Sequence, residues 1–241
     1  MRRFLHNVKY FLRYYGVSRA IAIVLPKLAP SLRQSDRLIN WKESAFDRKF
    51  GIRTVGNVEV ADLDISSEAK KNAVEYCPTS GIALGVILEE LEIDHTDYTF
   101  VDFGCGKGRV LCLAAEFPFR EIIGVEISDT LRNAADENIS RMSAKRKICQ
   151  RMRAVNADAT AFGFPITPLV LYFFNPFGNT IMARVLDNAR ESWNTTRRNI
   201  FIVYSNPRHQ HILDSSDFWR AATLRSGPVH DGWAVYRTPA A

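Results

Sequence analysis

Apolar positions recur along this chain with two periods in turn. Leu84, Ile87, Leu88 and Leu91 recur at helical spacing, and the short apolar run Thr99–Phe103 after them reads as a strand. Val110, Leu111, Leu113 and Ala114 then open a helix expected over Arg109–Phe117, followed by a second strand over Glu121–Ile127. Leu131, Ala134, Ala135, Ile139 and Met142 stripe the next helix, and Arg151–Asn156 reads as a short third strand. Leu169–Phe174 and Asn199–Tyr204 are apolar almost throughout, as strands buried on both faces are. Between them Met182, Val185, Leu186, Ala189 and Trp193 share one helical face. Trp219–Arg225 and Trp233–Thr238 read as a closing antiparallel pair joined through Gly227-Pro228. Strands alternating with helices predict a doubly wound, mostly parallel α/β sheet.

Ahead of this region the pattern changes. Phe4, Leu5, Val8, Phe11, Leu12 and Tyr15 lie on one helical face, with Arg2, Arg3, Lys9 and Arg13 largely elsewhere. Pro26 and Pro30 then interrupt the helix, and 32–57 is polar. We read 1–65 as a basic, partly helical extension and 66–241 as the main domain. The first 50 residues hold 11 Lys/Arg and 3 Asp/Glu, so the net charge of +6 belongs to the extension. The basic total is therefore no argument for nucleic acid at the active site. The amphipathic helix either lies on an anionic membrane surface or an acidic partner, or folds back on its own domain with its charges solvated.

With 241 residues, 46% of them hydrophobic, the chain suits one α/β domain plus that extension. No stretch approaches the roughly 20 apolar residues of a membrane span. The run Ala20–Leu25 ends at Pro26 without a small-residue cleavage pattern, so no secretory signal is expected. Cys77, Cys105, Cys112 and Cys149 form no C-x-x-C pair, which fits a reducing cytoplasm.

The chemistry begins at Val101–Arg109, V-D-F-G-C-G-K-G-R, between the first strand and its helix. Glycines there let backbone approach a ligand and adopt angles other residues avoid. The dinucleotide fingerprint G-x-G-x-x-G fails, because Arg109 stands where its last glycine belongs. Cys105 in this loop is read as a small filler, not a redox thiol. Glu126, at the end of the second strand and eighteen residues after Gly108, suits a ribose, whose two hydroxyls a carboxylate accepts. Asp158 follows the third strand, Asn175-Pro176-Phe177 the fourth and Ser205-Asn206-Pro207 the fifth. Ligands of open α/β sheets sit beyond these ends.

The order Asp102, Gly104, Gly106, Gly108 resembles the first motif of class I S-adenosylmethionine (SAM) dependent methyltransferases. The resemblance spans Tyr76 to Tyr204 and implies a Rossmann-like, seven-stranded sheet with an antiparallel last strand. It implies that Asp102 attracts the SAM ammonium and orders the glycine loop, that Glu126 holds ribose, and that Asp158 accepts from the adenine amino group. Asp158 also suits a helix cap. Asn175-Pro176-Phe177 resembles the N-P-P-F/Y motif of amino-group methyltransferases but lacks its second proline, which leaves the target atom open. Tyr76-Cys77-Pro78-Thr79 is similar to a Y-x-P-T segment of some seven-strand lysine methyltransferases, in which Thr helps hold the SAM carboxylate and Tyr closes over the ligand. Phe46–Gly51, Pro118–Glu126 and Tyr172–Phe177 resemble segments of uncharacterised bacterial methyltransferases.

The implied reaction is methyl transfer from SAM to an amino group, of a protein lysine or a small molecule, with acceptor and donor held in line at about 3–3.5 Å. No metal is expected. Two other function classes stay open: an adenosine or nicotinamide-nucleotide binder without methyl transfer, and a membrane-surface binding protein acting through the basic N-terminus.

Overall fold

The computed structural model describes residues 44, 46–77, 81–142, 144, 146–225 and 232–239. The basic N-terminal helix, Thr79 and the Gly227-Pro228 turn lie outside them. Seven strands form one sheet: β1 (Thr99–Phe103), β2 (Glu121–Glu126), β3 (Met152–Asn156), β4 (Leu169–Phe174), β5 (Ile200–Ser205), β6 (Arg220–Arg225) and β7 (Trp233–Arg237). Their order is β3-β2-β1-β4-β5-β7-β6. The first five run parallel, and β7 lies antiparallel between β5 and β6. This is the Rossmann-like sheet that the alternating pattern and the closing hairpin predict. The helices are α1 (Ser67–Lys70), α2 (Gly81–Glu90), α3 (Arg109–Ala114), α4 (Asp129–Arg141), α5 (Asn179–Thr195) and α6 (His211–Asp214). Among the described residues no helix is long and apolar enough to cross a membrane.

Side chains on a strand alternate between faces, and here they sort into two cores. Phe100, Val170, Tyr172 and Val203 join the core beneath α2, α3 and α4. Their neighbours Val101, Leu171, Phe173 and Ile202 join the one beneath α5. All five predicted stripe residues of α5 are buried. The helix after β1 is shorter than expected and ends at Ala114. Phe117 precedes Pro118, and a residue before proline is pushed out of the helical region.

Residues 46–64 are tied to this domain by specific contacts. Phe46, Phe50 and Ile52 belong to the α2–α3 core, with the rings of Phe46 and Phe50 stacked at 4.4 Å. Buried Asp47 accepts hydrogen bonds from the Thr54 and Val55 backbone and the Thr54 hydroxyl, closing that loop on itself. Asp64 accepts from the Ser128 hydroxyl and from Thr130 at the start of α4, which holds its carboxyl down at about 2.

Asn138 of α4 is 2% exposed and joins three segments. Its Oδ1 accepts from Arg53 N at 2.7 Å, while its Nδ2 donates to Arg53 O at 3.0 Å and to Lys107 O in the glycine loop at 2.8 Å. Asn138→Ala leaves one amide and two carbonyls without these partners. The expected cost is about 3 kcal/mol, read as a lower midpoint in urea. An unchanged midpoint would show that water replaces the amide.

Candidate cofactor and active site

The strand-end motifs converge on one cavity of about 490 Å³, at the carboxyl edge of the parallel strands β1 to β5. Asp102, Gly104, Gly106, Glu126, Asp158, Asn175, Pro176, Phe177 and Tyr76 all line it. Gly108 does not; it is turned against Ala135 of α4.

Close approach by protein already demands the first two glycines. Gly104 has φ 74°, and a Cβ there would stand 2.6 Å from the Pro176 Cβ. Gly106 has φ 51°, and a Cβ would fall 2.2 Å from the Tyr76 ring. The loop thus packs against the N-P-F turn on one side and the Tyr76 ring on the other. Tyr76 donates to Thr54 O at 2.9 Å, its backbone bridges Val58, and Ala73 bridges Phe177. Lys107 donates to Val55 O and Gly56 O at 3.2 and 3.0 Å. Segment 53–77 is therefore laced both to the glycine loop and to the β4 turn.

Two carboxylates lie buried in this cavity. Glu126 Oε2 accepts from Gly106 N at 2.9 Å and Oε1 from Ser128 N at 3.0 Å. The loop-ordering expected of Asp102 thus comes from Glu126, a link over 20 residues of sequence. Burial pushes the Glu126 carboxyl up, and the donated N–H groups oppose it. Asp102 is 3% exposed and makes no side-chain hydrogen bond among the described residues. Burial, and then the charge of Glu126, push it well above the ordinary carboxylate range. Burial, and then the two carboxylates, also push the Cys105 thiol up.

Beyond β3, Asp158 caps a short turn, its Oδ1 accepting from Thr160 N and Thr160 Oγ1 at 2.7 and 2.8 Å. The capping alternative thus holds, and the same residue faces the cavity. Ile127 and Ala157 add apolar surface there. Beyond β4, Asn175 is 3% exposed with φ 47°. Its Oδ1 lies 3.5 Å from the Tyr204 hydroxyl, which in turn accepts from His209 N. Asn206, directly after β5, repeats this conformation with φ 49° and also lines the cavity. Non-glycine residues seldom adopt it, and Asn does so more readily than most.

A methyltransferase-domain family model matches residues 101–188, from β1 into α5. Among solved structures the chain is similar to a putative methyltransferase from Escherichia coli, at 13% identity and a TM-score of 0.51 over 67% of this chain and 87% of that one. The fold is that of a class I SAM-dependent methyltransferase. Magnesium protoporphyrin IX methyltransferase from Synechocystis PCC 6803, solved with bound SAM, is 13% identical with a TM-score of 0.46, over 65% of this chain and 78% of that one. A SAM-dependent methyltransferase from Aquifex aeolicus is 11% identical with a TM-score of 0.46, over 64% and 87%. No curated protein matches this chain.

The residues present fit SAM. The cavity is of small-molecule size. Its lining includes the exposed backbone of Gly104, and its two buried carboxylates suit a ligand carrying an ammonium and a sulfonium. The supporting residues Asp47, Lys107 and Asn138 were not expected from sequence. Only Asn138 carried a signal there, as a polar residue within the apolar stripe of Leu131, Ala135 and Met142.

Proposed function

We propose that this chain transfers a methyl group from SAM to an amino group. The observation that carries the reading is Asn175. It is a buried amide held in a left-handed conformation at the end of β4, in the same cavity as Asp102 and Glu126. When bound, SAM supplies an electrophilic methyl on a sulfonium whose leaving group is neutral. The protein therefore has to bind, align and exclude water. Asp102 takes the ammonium. Glu126 holds the glycine loop with one lone pair on each oxygen and offers the others to ribose. Asp158 and Ile127 address adenine. The Asn175 carbonyl oxygen accepts from the target amine, and the Phe177 ring packs against nitrogen as it becomes cationic. Tyr76 covers the loop. The acceptor is a protein lysine or a small amine.

Isothermal titration tests the donor: a protein that binds neither SAM nor S-adenosylhomocysteine is not this enzyme. Transfer of labelled methyl from SAM into a fractionated lysate tests the acceptor, and label in lipid or RNA instead of amines would overturn the amino-group reading. Asn175→Ala is expected to lower transfer about 100-fold while leaving S-adenosylhomocysteine affinity within about threefold. Equal losses in both would place Asn175 with the cofactor.

A further inference from the structure

The turn after β5 is fixed by its own backbone. Asn206 N donates to Gly232 O at 2.9 Å, Arg208 N to Asn206 O at 2.8 Å and Gln210 N to Pro207 O at 3.2 Å. His209 N donates to the Tyr204 hydroxyl. The left-handed Asn206 and the ring of Pro207 leave little freedom to the backbone that carries Arg208. Arg208 is exposed and lines the cavity. It makes no ion pair or side-chain hydrogen bond among the described residues.

The charge of Arg208 reaches the acceptor side of the site. Burial raises the Tyr204 phenol, and the His209 N–H and then the Arg208 guanidinium oppose it. Burial lowers the His209 imidazole, and the charges of His211 and Arg208 push it the same way. The Tyr204 hydroxyl lies 3.5 Å from Asn175 Oδ1, so Arg208 acts near the amide that receives the amine in the reading above. Acids that could neutralise it are engaged elsewhere. Asp214 of α6 accepts from Tyr236 and Gln210, Glu68 pairs with Lys71, and Asp158 caps Thr160. Among the described residues no ion pair joins Glu75 to Arg208.

Arginine presents a planar fork that matches a carboxylate or a phosphate. A plain amine approaches Asn175 as an ammonium and meets like charge there. An acceptor that carries an anion near its amine offers one group to Arg208 and the other to Asn175. We infer that the acceptor is a small amine that also carries a carboxylate or a phosphate, and that Arg208 selects it by binding that anion. The inference rests on the amino-group reading and narrows it, because a lysine side chain within a polypeptide has only methylenes next to its nitrogen. The acceptor nitrogen gives its proton to water, and its lone pair forms the bond to the methyl carbon. The carbon–sulfur bond breaks with its electron pair left on sulfur. Arg208 takes no part in that step; it sets which amines are held in line for it.

The test incubates full-length protein and methyl-labelled SAM with the small-molecule fraction of a lysate and, in parallel, with its protein fraction. After unreacted SAM is removed on charcoal, the product is passed over an anion exchanger at about pH 12, where a methylated amine is neutral and a carboxylate or phosphate stays charged. Label is expected in the small-molecule arm, retained on the column. Phosphatase separates the two anions: it frees a phosphate-bearing product and leaves a carboxylate-bearing one bound. Arg208→Gln is expected to slow this transfer about 30-fold at low acceptor concentration and to leave S-adenosylhomocysteine affinity within about threefold. Arg208→Lys, which keeps the charge but not the fork, should fall between. Label mainly in protein, or small-molecule label that runs through the column, overturns the inference. So does Arg208→Gln at the wild-type rate, or an equal weakening of S-adenosylhomocysteine, which would give Arg208 to the cofactor. Wild type that transfers no label sinks the amino-group reading and this inference together, whereas transfer to unretained amines sinks this one alone.

Discussion

Gly106→Ala is expected to unseat the cover of the cavity and abolish measurable SAM binding. At φ 51° an alanine costs about 1–2 kcal/mol in backbone strain alone. The added methyl would also overlap the Tyr76 ring, whose Cδ2 and Cε2 would stand 2.2 and 2.3 Å from it. The ring has to leave, and with it goes the hydrogen bond from Tyr76 to Thr54 O, worth about 1 kcal/mol. The loop shift also weakens the contact between Gly106 N and Glu126. Together these amount to about 3 kcal/mol, or roughly 6–12 °C in melting temperature for a chain of this size. Thermal melting by circular dichroism measures it. Tyr76→Ala as a background separates the two causes: with the ring and its hydrogen bond already gone, adding Gly106→Ala should cost only the backbone strain, about 1–2 kcal/mol. If the single variant melts with wild type, the loop has room that this geometry denies it.

Asp102→Asn has the second large effect, and its sign depends on what is bound. The carboxyl of Asp102 is raised in the folded protein by burial and by Glu126. The folded state therefore holds this proton more tightly than the unfolded chain does. Stability from this group is complete below the unfolded value, near pH 4, and is lost as pH rises through the raised folded value. The ligand-free wild type should accordingly lose stability relative to Asp102→Asn as pH climbs from about 4. SAM reverses the preference, because its ammonium favours the ionised carboxylate. Binding to wild type should release a proton where Asp102 is still protonated, seen as a dependence of titration heat on buffer ionisation enthalpy. The variant should release none from this position and bind SAM about 100-fold more weakly. A variant that is less stable than wild type across the whole range, with unaltered SAM affinity, would make Asp102 structural and move the ammonium elsewhere.

The two variants differ in how far sequence alone foresees them. The spacing of Asp102 and the three glycines, read between an apolar run and a helical one, suffices to expect a ligand turn. That glycine at 106 is demanded by a tyrosine thirty residues earlier is visible only in space. The same division runs through the site. Glu126, Asp158 and Asn175 stand at strand ends that the hydrophobic pattern located to within a residue, and parallel strands bring their carboxyl ends to one edge by topology. The pattern did not show that Glu126 accepts from Gly106, that Gly108 faces α4 instead of the cavity, or that Arg109 does line it. Each depends on side-chain direction in three dimensions, which a period of two or 3.6 does not carry.

Local sequence thus determined the succession of strands and helices, the five buried positions of α5 and the set of polar groups offered at the sheet edge. These follow from burying apolar surface and from where glycine, asparagine and proline can turn a chain. The tertiary structure alone decided how 46–77 joins the site, through Asn138 to Arg53 across 85 residues, Lys107 to Val55 across 52 and Asp64 to Ser128 across 64. Such bonds join groups with no shared period or spacing. Their partners are set by the packing of the two cores, which brings distant backbone within hydrogen-bonding reach once the sheet has formed.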